Sequence, residues 1–118
     1  ETLITYPIPD DRIDIIREVL GPVGVNPVRR TAMLTVAILQ LVASHRGIAA
    51  MPGWAVQPYL EKGYVEYRPV RKQGLFANLH AATTRSLSQT AYMKEFMNIM
   101  KRVSFDSLKR IRPVGEDD

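Results

Sequence analysis

Apolar positions along the chain recur with two different periods, and the changes of period mark out its elements. Residues 2–8 (TLITYPI) are rich in β-branched side chains and stop at Pro7 and Pro9, which cannot donate to a sheet ladder, so they read as a strand. Ile13, Ile16, Val19 and Leu20 then fall at helical spacing behind Asp10 and Asp11, acids suited to a helix start. That predicts an amphipathic helix over residues 11–20. Gly21-Pro22 stops it, and residues 25–31 (VNPVRRT) read as a short strand whose Arg29-Arg30 pair suits an exposed strand end.

Residues 32–46 are apolar nearly all round, so the helix predicted there should be packed on several sides. Gly47 can take the left-handed conformation that ends a helix. The run Ile48-Ala49-Ala50-Met51 is short and wholly apolar, as a central strand covered on both faces would be, and Pro52 ends it. Residues 54–61 (WAVQPYLE) read as a helix or irregular turn interrupted by Pro58. Residues 64–70 (YVEYRPV) alternate as a strand, residues 71–74 turn, and residues 75–84 (LFANLHAATT) read as another strand. A last amphipathic helix starts near residues 88–90 and carries Tyr92, Phe96, Ile99, Met100 and Val103 on one stripe. The alternation of strand and helix predicts an α/β fold with an open, largely parallel sheet. The turn at residues 71–74 is the best candidate for a subdomain boundary.

Composition narrows the chemistry. A chain of 118 residues is one domain by size, and 46% hydrophobic with 24% charged residues is ordinary for a globular protein. With no cysteine, a disulfide framework and a thiolate metal site are both excluded. His45 and His80 are far apart with no third ligand motif, so no metal is expected. There is no nucleophile elbow and no phosphate-loop glycine run, which argues against an enzyme and against a cofactor. The cluster Asp10, Asp11 and Asp14 is explained by a helix start. The most apolar stretch, residues 32–43, is too short to span a bilayer and no leader opens the chain, so a cytoplasmic protein without membrane contact is expected. The Glu1 start has the look of a segment excised from a longer protein.

The net charge of +4 is unevenly placed. Residues 101–112 (KRVSFDSLKRIR) hold five cations against one acid, Asp106. Simple charge attraction to phosphates is open to such a run, but it reads as a solvated helix face, with no aromatic platform or recognition-helix pattern beside it. The acidic residues 115–118 read as a disordered terminus.

At residues 41–54, LVASHRGIAAMPGW, the chain resembles the LysR-type transcription regulators. In that family a helix ends in a small-residue run and a glycine, and a short apolar strand then runs into a proline. Here those are Val42-Ala43, Gly47, Ile48 to Met51, and Pro52, although Ser44-His45-Arg46 is more polar than is usual there. The opening ETLITYP resembles the strand that leads into the family's second regulatory lobe, and residues 63–85 resemble the strands that return to the first. ETLITYP, the GVNP turn at residues 24–27, IAAMPGW and GLFANLHAA are features shared with the family's regulators of methionine biosynthesis.

The resemblance implies an effector-binding domain with an open sheet like that of type II periplasmic binding proteins. Residues 1–70 would form the second regulatory lobe. Residues 71–118 would hold the return strand and C-terminal helix of the first lobe, with a basic and then acidic tail. It further implies a small-molecule effector (homocysteine or a related amino acid), a homo-oligomer, and DNA contact only through an N-terminal helix-turn-helix outside this chain. A solute-binding domain of the periplasmic type is the alternative.

Ligands of open α/β sheets bind beyond the carboxyl ends of strands, where helix N-termini offer unpaired N–H groups. By that rule Thr31 and Trp54 lead the effector-binding candidates, followed by Met33, Met51 and Tyr6. Thr31 would supply a hydroxyl at a helix start, and Met33, Met51 and Trp54 an apolar, sulfur-tolerant wall. Each has a duller role to weigh: Thr31 as a helix cap, the methionines as core filler, Trp54 as a packing anchor, Tyr6 as a residue fixed by the proline after it.

Overall fold

The computed structural model describes residues 1–115; the acidic residues 116–118 lie outside the described residues. Its elements run β1 (Thr2–Thr5), a 3₁₀ turn (Asp10–Arg12), a π-helical segment (Ile15–Leu20), a second 3₁₀ turn (Gly21–Val23), β2 (Val28–Thr31), α1 (Thr35–Ala43), α2 (Gly53–Glu61), α3 (Arg85–Ser88) and α4 (Ala91–Ser107). The chain divides into two compact units. One comprises residues 1–52 and 58–66, the other residues 53–57 and those from 67 onward.

The first unit is built on β1. It pairs in parallel with β2, Leu3 opposite Arg29 and Thr5 opposite Thr31. On its other side Ile4 donates to the carbonyl of Ile48 at 2.8 Å, and Ile48 donates to that of Thr2 at 2.9 Å. The central strand is therefore β1, which is why Leu3, Ile4 and Thr5 are all buried. The expectation of a covered central strand at residues 48–51 is corrected here: Ile48 is a one-residue edge bridge and is 53% exposed.

Helix α1 packs its Ile38 and Leu39 into this core, both essentially buried. Its start lies later than the pattern implies, because Met33 and Leu34 are still irregular and Leu34 occupies the N-cap position. Within it only Ile38 and Leu39 are buried, while Val36 and Gln40 stay exposed, so packing on several sides is not what this chain provides. The helix ends in a Schellman motif. His45 donates to the carbonyl of Val42 and Arg46 to that of Leu41, with His45 at φ 56° in the left-handed region. The residue that turns the chain is thus His45, not Gly47. Glycine is needed at 47 for another reason, since a Cβ there would collide with the Thr2 carbonyl and lie 3.1 Å from the Ile4 side chain.

The predicted helix over residues 11–20 resolves into a 3₁₀ turn and a π-helical segment. Arg17 in the latter bonds Glu18 and Asp14 at 2.7 Å each, and these carboxylates hold its proton more tightly than usual. In the second unit α4 forms where its apolar period predicts it. Helix α2 runs straight through Pro58. Residues 64–70, which alternate, and residues 75–84 were both expected as strands but form no ladder among the described residues. Alternation marks which side chains could share a face; a strand also needs an edge to pair with.

Candidate functional site

The carboxyl-terminal exit of β1 and the stretch after the Ile48 bridge line a cavity of about 130 Å³. Its floor is Ile4 and Ile38, fully buried, and its walls include Tyr6, Arg12, Ile13 and Met51. Tyr6 follows β1 directly, and its hydroxyl is hydrogen-bonded to that of Thr35 in the first turn of α1. This bond ties the end of the central strand to the start of the helix that packs on it. Met51 arrives from the Ile48 bridge, two residues before α2.

The loop carrying Tyr6 to Asp10 is held by one side chain. Arg29 of β2 donates from Nε to Thr5 Oγ1 at 2.7 Å, and from Nη2 to the carbonyls of Ile8 at 2.7 Å and Tyr6 at 3.1 Å. It is also ion-paired with Asp10. Its side chain is only 25% exposed, so the reading of Arg29 as part of an exposed pair is corrected: it is a clamp on the cavity's outer loop. A planar guanidinium with several fixed donors suits this task, and a lysine would not reproduce it.

Of the five sequence candidates, Tyr6 and Met51 are brought together as walls of the same cavity. Thr31 ends β2 in register with Thr5 and is exposed; it does not cap α1, whose N-cap position is Leu34. Met33 lies in the β2–α1 turn, 79% exposed. Trp54 belongs to the second unit, half-buried in the first turn of α2. Arg12 was not singled out from the sequence, where it reads as a surface residue of a helix; it is the one cation lining the cavity among the described residues. The α1 N-terminus has no side-chain cap, so its first N–H groups lack that partner. Among the described residues no group of three His, Cys, Asp or Glu side chains gathers as metal ligands, and no helix is long and apolar enough to cross a membrane.

The cavity is small and largely apolar, with a phenol, a guanidinium and a thioether on its walls, a make-up suited to holding a small molecule. The chain belongs to the LysR substrate binding domain family, which matches residues 1–104. It is 52% identical over 108 residues to the HTH-type transcriptional regulator MetR of Haemophilus influenzae, covering 92% of this chain and 35% of that one. Against MetR of Escherichia coli it is 30% identical over 112 residues, covering 95% and 35%. The solved regulatory domain of MetR from N. meningitidis superposes with a TM-score of 0.79 at 48% identity, covering 92% of this chain and 50% of that one. The chain thus spans about a third of the length of the curated relatives it matches. These relatives are named as transcription regulators.

Proposed function

We propose that this domain is the effector-sensing part of a transcription regulator of methionine-pathway genes, and that homocysteine or a related sulfur amino acid is its effector. The observation that carries the reading is the cavity shared by Tyr6, Arg12 and Met51 at the strand exits. At about 130 Å³ it is on the order of the roughly 150 Å³ known to hold a benzene molecule, a scale that suits a small amino acid. Met51 and the surrounding isoleucines would face the thiol-bearing side chain. Arg12 and the uncapped start of α1 would face the carboxylate, with the Tyr6 hydroxyl between them. Thr31, Met33 and Trp54 stay effector-binding candidates in this proposal, outside the lining of that cavity.

The relatives' regulator names, and the methionine pathway implied by MetR, support this assignment. Residues 1–70 act as the second lobe of a fold like the type II periplasmic binding proteins. Residues 71–118 return to the first lobe. In the whole regulator, a homo-oligomer in the cytoplasm, effector binding biases the relative orientation of subunits and so the contacts that a helix-turn-helix makes with DNA. It does so only through unequal affinity for the two arrangements. Calorimetric titration of homocysteine into the chain tests this. Saturable binding that weakens at least tenfold in Arg12→Gln is expected; no heat with any sulfur amino acid would end the methionine assignment.

A further inference from the structure

The Arg29 clamp has two halves of unequal strength. Its anchor is buried: Nε donates to Oγ1 of Thr5, a residue only 7% exposed, and Nη2 donates to the Tyr6 carbonyl at 3.1 Å. Its outer half reaches towards water. Nη2 also donates to the Ile8 carbonyl at 2.7 Å, and Nη1 is ion-paired with Asp10, whose side chain is 66% exposed. The anchor fixes the guanidinium to the sheet, and the outer half holds a segment that no other side chain of the sheet bonds among the described residues.

That segment, residues 7–13, supplies Ile8, Arg12 and Ile13 to the wall of the Tyr6 cavity. Its backbone bonds stay local among the described residues: Ile8 donates to Tyr6, Arg12 to Pro9 and Ile13 to Asp10. Arg17 donates to the Asp11 carbonyl at 3.1 Å, but it belongs to the π-helical stretch that follows, a rare geometry that is frequent at functional sites. Pro7 and Pro9 each fix φ, so opening the segment gains little chain entropy and the strength of its fastening decides how often it opens. An exposed ion pair contributes little and is screened by salt. The outer half therefore breaks cheaply, and the buried anchor keeps Arg29 in place to re-form it.

We propose that residues 7–13 are a lid on the Tyr6 cavity, latched by Arg29 through Asp10 and Ile8, and that release of this latch admits the ligand. Only the identity of that ligand as a sulfur amino acid rests on the reading above. A latch that is alike with the cavity full or empty sets how fast a ligand enters and leaves, and leaves its affinity nearly unchanged. Asp10 is then a positioning residue, acting through the lid without touching the ligand.

Xenon is the probe, since it fills apolar cavities and carries no charge for Arg12 or Asp10 to attract. Its exchange with the chain is followed by xenon NMR saturation transfer, and methyl shifts of Ile4, Ile38 and Met51 place it in the cavity. Asp10→Asn should raise the entry and exit rates together by about two- to fivefold, the range that loss of one exposed ion pair allows, with the dissociation constant nearly unchanged. Raising salt from about 0.01 to 1 M shortens the screening length from roughly 30 to 3 Å; it should quicken exchange in the unaltered chain and not in Asp10→Asn. Glu66→Gln makes the same change of charge at an exposed position outside the lid and should alter neither rate. Circular dichroism of each variant separates a faster lid from a lost fold. The proposal is overturned if Asp10→Asn exchanges as the unaltered chain does, if Glu66→Gln quickens exchange equally, if only the exit rate rises, or if xenon does not enter the cavity. Homocysteine titration of the same variants keeps the two readings apart: faster xenon exchange in a chain that binds no sulfur amino acid leaves the lid standing and removes the effector assignment.

Discussion

The unit built on β1 and the unit that holds α4 treat apolar surface in opposite ways. In the first, Leu3, Ile4, Ile38 and Leu39 are buried together, with every β1 residue bonded to β2 or to Ile48. In the second, α4 carries an equally regular stripe, yet Tyr92, Phe96 and Val103 are each at least half exposed. Regular spacing makes a helix amphipathic; burial requires a partner surface, and most of the favourable free energy comes from burial. The difference implies that the first unit, which holds the Tyr6 cavity, carries most of the stability, while the second carries the positive charge.

Truncation in the two apolar stripes should break or uphold that contrast most visibly. Ile38→Ala should cost roughly 3–4 kcal/mol in urea unfolding, because it empties a fully buried site. Phe96→Ala, of larger volume but more than half exposed, should cost less than about 1 kcal/mol. Equal losses would show that α4 is covered in solution. Gly47→Ala should cost about 2–3 kcal/mol, since the new methyl meets the Thr2 carbonyl and the Ile4 side chain; an unchanged midpoint would mean that β1 and residue 47 are not in this contact. Arg29→Lys keeps the charge but not the fork, and should cost about 1–2 kcal/mol while loosening the Tyr6–Asp10 loop. Hydrogen exchange at Ile8 and Arg12 would report that loosening. The smallest effect is a gain: His45→Gly should stabilise by up to about 1 kcal/mol by relieving the left-handed strain that ends α1.

What could be read from sequence follows the range of the forces involved. β1, β2, α1 and α4 were visible because a periodic side-chain pattern is a local property. Arg29 was not, since its partners Thr5, Tyr6 and Ile8 lie 21–24 residues earlier and nothing local to VRRT marks a clamp. The same limit hid Arg12, which a helical reading places on the surface and a 3₁₀ turn places on the cavity wall. Residues 64–70 and 75–84 failed in the other direction: they read locally as strands, but a ladder depends on an edge that local pattern cannot supply. His45 and Gly47 exchanged roles because two demands on the backbone, a left-handed turn and a close strand contact, fall two residues apart. Of the site candidates, Tyr6 and Met51 share a cavity that follows β1 and the Ile48 bridge, whereas Thr31 and Met33 are exposed and outside its lining.

The most direct test of a small-molecule sensor centred on that cavity is residue-resolved. Amide chemical shifts of the isotope-labelled chain should be recorded during titration with homocysteine. The account predicts saturable shifts concentrated at Tyr6, Arg12, Ile13, Thr35 and Met51. Shifts confined to residues 67–112, or none at saturating ligand, would contradict it.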